Sequence, residues 1–205
     1  MTAPDQTAGP GRVVVLAGPS GSGKSRLADR LHRRYGWPVV RLDDFYRDHD
    51  DPGLPRSEEL GMVDWDHPDS WNQEAAVASL ARLLEVGRES MPLYDIATSR
   101  VTAEHTVTAR PDDLVVAEGI FAAEAVPALR EAGLLHSAWC IRHRRWHTFF
   151  LRLARDLAER RKPPLTLLRR GLVLTRDEPR VVARHLALGA REASPAQAEQ
   201  MLAGA

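Results

Sequence analysis

The chain has 205 residues, with 28 Lys and Arg balancing 28 Asp and Glu, so its formal net charge is zero. That length suits one domain, and a chain without net positive charge is a poor dedicated nucleic-acid binder. No apolar run approaches the ~20 residues that span a bilayer, Met1–Gly11 has no apolar signal core, and the single cysteine, Cys140, excludes an intrachain disulfide.

The expectation is a cytoplasmic protein with neither a nucleic-acid nor a membrane partner. The charge is unevenly spread. Residues 1–140 hold 14 Lys/Arg and 22 Asp/Glu, whereas residues 141–205 hold 14 and 6. An acidic front and an Arg-rich back can clamp a polyanion together with its cation. They can equally be two solvated faces that balance.

Residues 1–11 are small, polar and rich in Pro and Gly, and read as a disordered leader before a single domain over 12–205. Val13-Val14-Val15-Leu16-Ala17 is uniformly apolar and predicts a buried strand. A Gly/Ser-rich turn follows, and a helix is expected from Lys24 to about Tyr35. Val39–Leu42 predicts a second buried strand. Residues 47–72, rich in Asp, Pro and Gly, predict a long loop, and loops of that length in a compact domain are usually functional. Glu74–Val86 has one apolar face and predicts a helix. Met91–Tyr94 and Val101–Ala109 predict a hairpin or flap. Leu114–Ala117 predicts a third strand ending at Glu118-Gly119, Glu124–Ala132 a short helix, and Ala138–Ile141 a fourth strand. Trp146–Arg161 predicts a long helix stopped by Pro163-Pro164, followed by helices at Leu165–Leu174, Pro179–Leu188 and Gln197–Leu202. Buried strands alternating with helices predict an α/β fold with a mainly parallel sheet.

Gly18-Pro19-Ser20-Gly21-Ser22-Gly23-Lys24-Ser25 fits G-x-x-x-x-G-K-[ST], between the required strand and helix. Glycines let the backbone wrap a phosphate, and the helix N-terminus adds partial positive charge. Lys24 is placed to reach β- and γ-phosphates, the Ser25 hydroxyl to hold Mg²⁺, and Arg26 follows on the same helix turn. The first and third strands end on one edge of such a sheet, where α/β ligands sit. A carboxylate there, Glu118, can hold Mg²⁺ or its waters. The Asp43-Asp44 pair ends the second strand, and one of the two can accept the proton of an attacking hydroxyl while the other caps a turn. Cys140 falls in a buried strand and reads as a core residue.

These segments resemble uridine kinases and their relatives in the phosphoribulokinase and pantothenate kinase group. Asp43-Asp44-Phe45-Tyr46 is similar to their D-x-F-Y element. Trp65-Asp66-His67-Pro68-Asp69-Ser70-Trp71 is similar to F-D-H-P-D-A-F, Pro92-Leu93-Tyr94-Asp95 to P-x-Y-D, and Val115–Ile120 to V-V-x-E-G-I. Arg152–Arg160 resembles the R-x-x-R-D-I-x-E-R lid helix. The matches run in family order from about residue 12 to 161.

The resemblance implies a three-layer P-loop sandwich, with an acceptor-binding insertion at about 43–110 and a lid at about 144–180. It implies an ATP- and Mg²⁺-dependent kinase acting on a hydroxyl of a small molecule such as uridine or cytidine, with room for a homo-oligomer. Asp43 matches the base, and Ser25 and Glu118 match the Mg²⁺ sphere. Arg152 and Arg155 match lid arginines that neutralise the transferring phosphoryl group. Asp66 matches the residue on the ribose hydroxyls and Tyr94 an aromatic near the nucleobase, with Tyr46 and Arg100 in the same acceptor segments. The chain departs from the pattern after Tyr94-Asp95. Ile96 stands for an aromatic, and the base-reading histidine is missing. Two further expectations therefore stand beside a nucleoside kinase: a kinase for another pentose, nucleoside-like or vitamin-like alcohol, and a nucleotide-binding regulatory protein without turnover.

Overall fold

Five consecutive apolar residues offer no face to water, so β1 (Val13–Ala17) can be satisfied only inside a sheet, and all five are fully buried. In this computed structural model, described for residues 11–57, 62–142 and 179–204, β1 is the central strand of five. β2 (Val39–Arg41), β5 (Val115–Glu118), β6 (Leu135–Ile141) and β7 (Arg191–Ala193) complete the sheet in the order β2-β5-β1-β6-β7, with every pairing parallel. Alternate residues of β1 serve opposite faces. Val13 and Val15 pack toward α2 (Gln73–Val86) and α3 (Val126–Glu131), while Val14 and Leu16 pack toward α1 (Lys24–Tyr35) and α5 (Pro195–Leu202).

β3 (Arg88–Asp95) and β4 (Arg100–Thr108) form a separate antiparallel hairpin. Its root is anchored in the core by Met91 and Val107, while residues 100–106 of β4 are exposed on both faces. Arg12 fastens the start of β1 by donating to the carbonyls of Arg110 (2.7 Å) and Leu84 (2.8 Å).

The sequence expectations for β1, β2, α1, α2 and the hairpin agree with these elements. Several boundaries move: β2 stops at Arg41, the third strand runs one residue later than expected, over Val115–Glu118, and the last helix starts at Pro195. The expected 124–132 helix opens as a 3-10 turn at Ala122–Ala125 before α3. The fourth strand begins at Leu135, where its first residues pair with β1. Gly11, assigned to the leader, already packs against the backbone of Leu134. The helix expected over Trp146–Arg161 and the one over Leu165–Leu174 lie outside the described residues, as do residues 1–10. Among the described residues no helix is long and apolar enough to cross a membrane.

Residues 179–187 are helical and form α4. α4 is held on the sheet by Arg184, whose Nε lies 2.6 Å from Glu124 Oε1. It is also held by His185, whose Nδ1 lies 3.6 Å from Cys140 Sγ. His185 is buried, and burial, with Lys24 and Arg184 adding to it, lowers its pKa from 6.5 to about 4. The folded state therefore keeps this imidazole neutral, while the unfolded chain takes up a proton below about pH 6.5. This contribution is absent as a penalty above that pH and costs stability progressively as pH falls toward 4. The expected outcome is a wild-type stability, relative to His185→Gln, that drops by about 2 kcal/mol between pH 7.5 and 4.5 in urea unfolding. Parallel pH profiles of the two proteins would contradict the burial of a neutral imidazole.

Candidate active site

Parallel pairing brings the carboxyl ends of β1, β5 and β2 to one edge. Leu16 and Arg41 both register against Glu118. The chain leaves β1 through Gly18, whose φ of 140° and contact with Ile141 admit no side chain; a Cβ would stand 2.4 Å from the Ile141 carbonyl oxygen. The turn over Pro19–Ser22 then delivers Gly23 as the N-cap of α1, with no side-chain cap for the first helical N–H groups. A phosphate oxygen is the acceptor such an end suits. Lys24 is buried, and its Nζ donates to the carbonyls of Gly18 (2.8 Å) and Pro19 (3.2 Å). Ser20, Gly21 and Ser22 complete the loop, while Arg26 is exposed on α1.

Ser25 Oγ donates to Glu118 Oε2 at 3.2 Å. Glu118 is 7 % exposed, and burial pushes its carboxyl above the usual range. Lys24 and the Ser25 hydroxyl pull it back, while Asp43 adds to the rise. A hydroxyl and a carboxylate oxygen side by side are hard donors that fit Mg²⁺, which takes few protein ligands and fills its shell with waters and phosphate oxygens. Among the described residues no group of three or more His, Cys, Asp or Glu could hold a metal.

The 3-10 turn Leu42–Phe45 carries the two aspartates in opposite directions. Asp43 is exposed at the edge, and its Oδ1 accepts the N–H of Ile120 at 2.8 Å. Gly119 leaves room for that carboxylate, since a Cβ there would stand 2.7 Å from Asp43 Oδ1 and push it aside. Asp44 turns inward and is 3 % exposed. Its Oδ1 accepts the N–H of Tyr94 at 3.3 Å, and Arg41 Nε stands 3.4 Å from Oδ2. Burial raises its pKa against the opposing effects of Arg41 and the Tyr94 N–H.

The Trp65–Trp71 segment is a hydrogen-bonded turn docked on this element. His67 caps a 3-10 turn over Pro68–Ser70, and Ser70 Oγ bonds the carbonyls of His67 and Trp65. Trp71 bridges Tyr46 and donates its indole N–H to the Leu42 carbonyl at 2.6 Å. Asp66 is exposed, and its backbone N–H donates to Asp64 Oδ1 at 3.1 Å. It acts on Tyr46, whose phenol is driven upward by burial, then by Asp43 and Asp66.

Tyr46 touches Trp65, Tyr94 and Phe121 at centroid distances of 6.1, 5.6 and 5.8 Å. Tyr94 donates its hydroxyl to the Arg47 carbonyl at 3.2 Å. Arg100 binds His49 and Asp50. The structure thus brings Lys24, Ser25, Glu118 and Asp43 together, with Tyr46, Asp66 and Tyr94 beside them. Arg100 lies at the hairpin tip, engaged with the neighbouring loop. Arg152 and Arg155 lie outside the described residues. Sequence reading missed Trp65 and Phe121 as partners of Tyr46. Trp65 and Trp71, six residues apart, are a signal of an aromatic cluster, but nothing in the sequence marks which ring meets which.

The AAA domain model AAA_33 matches residues 13–92. Among curated relatives, the uridine kinase of Lactobacillus johnsonii is 29 % identical over 112 residues, which is 53 % of this chain and 51 % of that protein. The uridine kinase of Leuconostoc citreum is 33 % identical over 113 residues, 53 % of this chain and 52 % of that one. The chain thus spans about half the length of the curated relatives it matches. A solved structure proposed to be a fructose transport system kinase from Silicibacter sp. TM1040 superposes with a TM-score of 0.59 at 21 % identity, covering 95 % of this chain and 91 % of that one, and shares the fold. Over about half its length the chain is thus similar to uridine kinases, and its P-loop and parallel sheet are those of a P-loop kinase fold.

Proposed function

We propose that the chain is an ATP- and Mg²⁺-dependent kinase that phosphorylates a hydroxyl of a small molecule, in the cytoplasm. The observation that carries this reading is the placement of Asp43, held by the Ile120 N–H, on the same strand edge as Lys24, Ser25 and Glu118. Asp43 Oδ1 is engaged by that N–H, so its second oxygen is the one left to take a proton.

In the proposed reaction the acceptor oxygen attacks the γ-phosphorus, the bond from that phosphorus to the ADP oxygen breaks, and the hydroxyl proton passes to Asp43. Lys24 neutralises charge on the β/γ oxygens, for which its ammonium leaves the Gly18 and Pro19 carbonyls. Mg²⁺, when bound, supplies charge neutralisation on the transferring group. Ser25 and Glu118 are the residues proposed to hold it, with Arg152 and Arg155 proposed to close the other side.

The proposed acceptor is a nucleoside such as uridine or cytidine, with Asp66 on vicinal hydroxyls and Tyr94 and Tyr46 forming the aromatic wall. One observation favours a second reading, a different pentose, nucleoside-like or vitamin-like alcohol. Ile96, at the position of the family aromatic, is 74 % exposed at the hairpin tip and offers no ring to a base. Sites that pair a polar edge discriminate strongly and apolar ones weakly.

Lys24→Ala is expected to abolish phosphoryl transfer while leaving the fold intact by circular dichroism, and full activity in that variant would refute the reading. Asp43→Asn is expected to lower kcat by roughly 10²–10⁴-fold, with Asp44→Asn far milder. The reverse ranking would shift the base by one residue. In steady-state kinetics with uridine, cytidine, ribose and a panel of alcohols, uridine and cytidine are expected to give kcat/KM values within about tenfold of each other. A strong preference for uridine would mean that the base is read by groups other than those named.

A further inference from the structure

The hairpin β3–β4 has no ladder with the main sheet, so its tip is held over the strand edge by other contacts. Its root is fixed by Met91 and Val107 in the core. Its tip is stitched to residues 44–50. Val101 N donates to Asp48 Oδ1 (2.9 Å), His49 N donates to the Ser99 carbonyl (2.9 Å), and Tyr94 hydroxyl donates to the Arg47 carbonyl (3.2 Å).

Asp48, His49 and Arg47 are partly or fully exposed, so water competes for these bonds. One contact is different. The register of the hairpin slips between Leu93 and Tyr94, and the Tyr94 N–H at that slip goes to Asp44 Oδ1. Asp44 is buried, its Oδ2 makes no hydrogen bond, and Arg41 is its facing cation. A buried carboxylate so thinly compensated is costly. Its location therefore needs a reason beyond local stability. It follows Asp43 directly in the chain, and through Tyr94 it touches the strand that carries the aromatic wall.

We propose that Asp44 is the positioning residue that sets the hairpin tip relative to Asp43, so that acceptor binding depends on it and nucleotide binding does not. This rests on the kinase reading above. The phosphate loop reaches α1 and β1 without passing through the hairpin, so the two ligands are mechanically separable at Asp44.

The experiment compares Asp44→Ala and Asp44→Asn with wild type. Asparagine keeps an oxygen for the Tyr94 N–H, and alanine leaves that donor unpaired. The expected result for Asp44→Ala is an acceptor KM raised about tenfold, with kcat and the Kd for ATP within about threefold of wild type. Asp44→Asn should return the acceptor KM to within about threefold of wild type. Equal losses for both ligands, an unchanged acceptor KM in the alanine variant, or an asparagine variant as impaired as alanine would each overturn the proposal.

Amide hydrogen exchange gives a readout independent of activity. The Tyr94 amide should be protected in wild type and in Asp44→Asn, and should exchange faster in Asp44→Ala while the β1 amides stay protected. A Tyr94 amide that exchanges freely in wild type overturns the proposal even if Asp44→Ala does not fold. If wild type phosphorylates no acceptor but Tyr94 behaves as expected, the kinase reading fails and the positioning contact stands.

Discussion

When every strand of a sheet runs the same way, all the carboxyl ends face one side, and the site depends on that constraint. β1 is forced to the centre by its own composition, and β5 and β2 follow beside it in parallel register. Three chain exits then coincide within one hydrogen-bonded step of each other. The first exit is the phosphate loop, the second ends in Glu118 and the third turns into Asp43-Asp44. No side chain has to reach far. Ser25 meets Glu118, and Asp43 meets the backbone of Ile120, because neighbouring strands stop at the same height. An antiparallel neighbour would have carried one of these groups to the opposite edge.

The electrostatics of the edge follow from the same proximity. Burial works against the charge on Glu118, and Asp43 opposes it further, whereas Lys24, Arg41 and the Ser25 hydroxyl favour it. Asp44 shares Arg41 and also feels Asp43. Each acid thus depends on cations fixed by other elements, and none is self-sufficient. A divalent cation entering between Ser25 and Glu118 would favour the ionised carboxylate at the point where burial disfavours it.

Much of this was legible in the sequence, because the informative signals are local. The run Val13–Ala17, the loop Gly18–Ser25 and the alternation in Val101–Ala109 each define their element within a few residues. α5 starts two residues before the Gln197 that the apolar pattern suggests, where Ser194 and Gln197 form a capping box around Pro195. β7 was not legible. Arg191-Glu192-Ala193 has no apolar run, and it is a strand only because β6 offers it a partner. The division of labour between Asp43 and Asp44 was open for a similar reason. Adjacent residues of a 3-10 turn point apart, and the inward one, Asp44, meets the backbone of Tyr94, fifty positions away. The Arg12 clamp on Leu84 and Arg110 belongs to the same class, a contact whose partners are known only once the chain has folded.

The way the sheets end has a consequence for how copies of this chain meet in solution. Among the described residues the main sheet ends at β2 and β7, each three residues long, so either margin offers a neighbour only a few rungs of backbone to grasp. The hairpin has two long margins, the eight-residue β3 and the nine-residue β4, and β4 carries Arg100, Thr102, Glu104, His105 and Thr106 in the open beside Val101. Pairing across it would bring charged and hydroxylated side chains of two molecules into register. Short margins, and charged side chains along a long one, are features by which folded β-structure avoids edge-to-edge growth, and the charged residues of β4 fit that use.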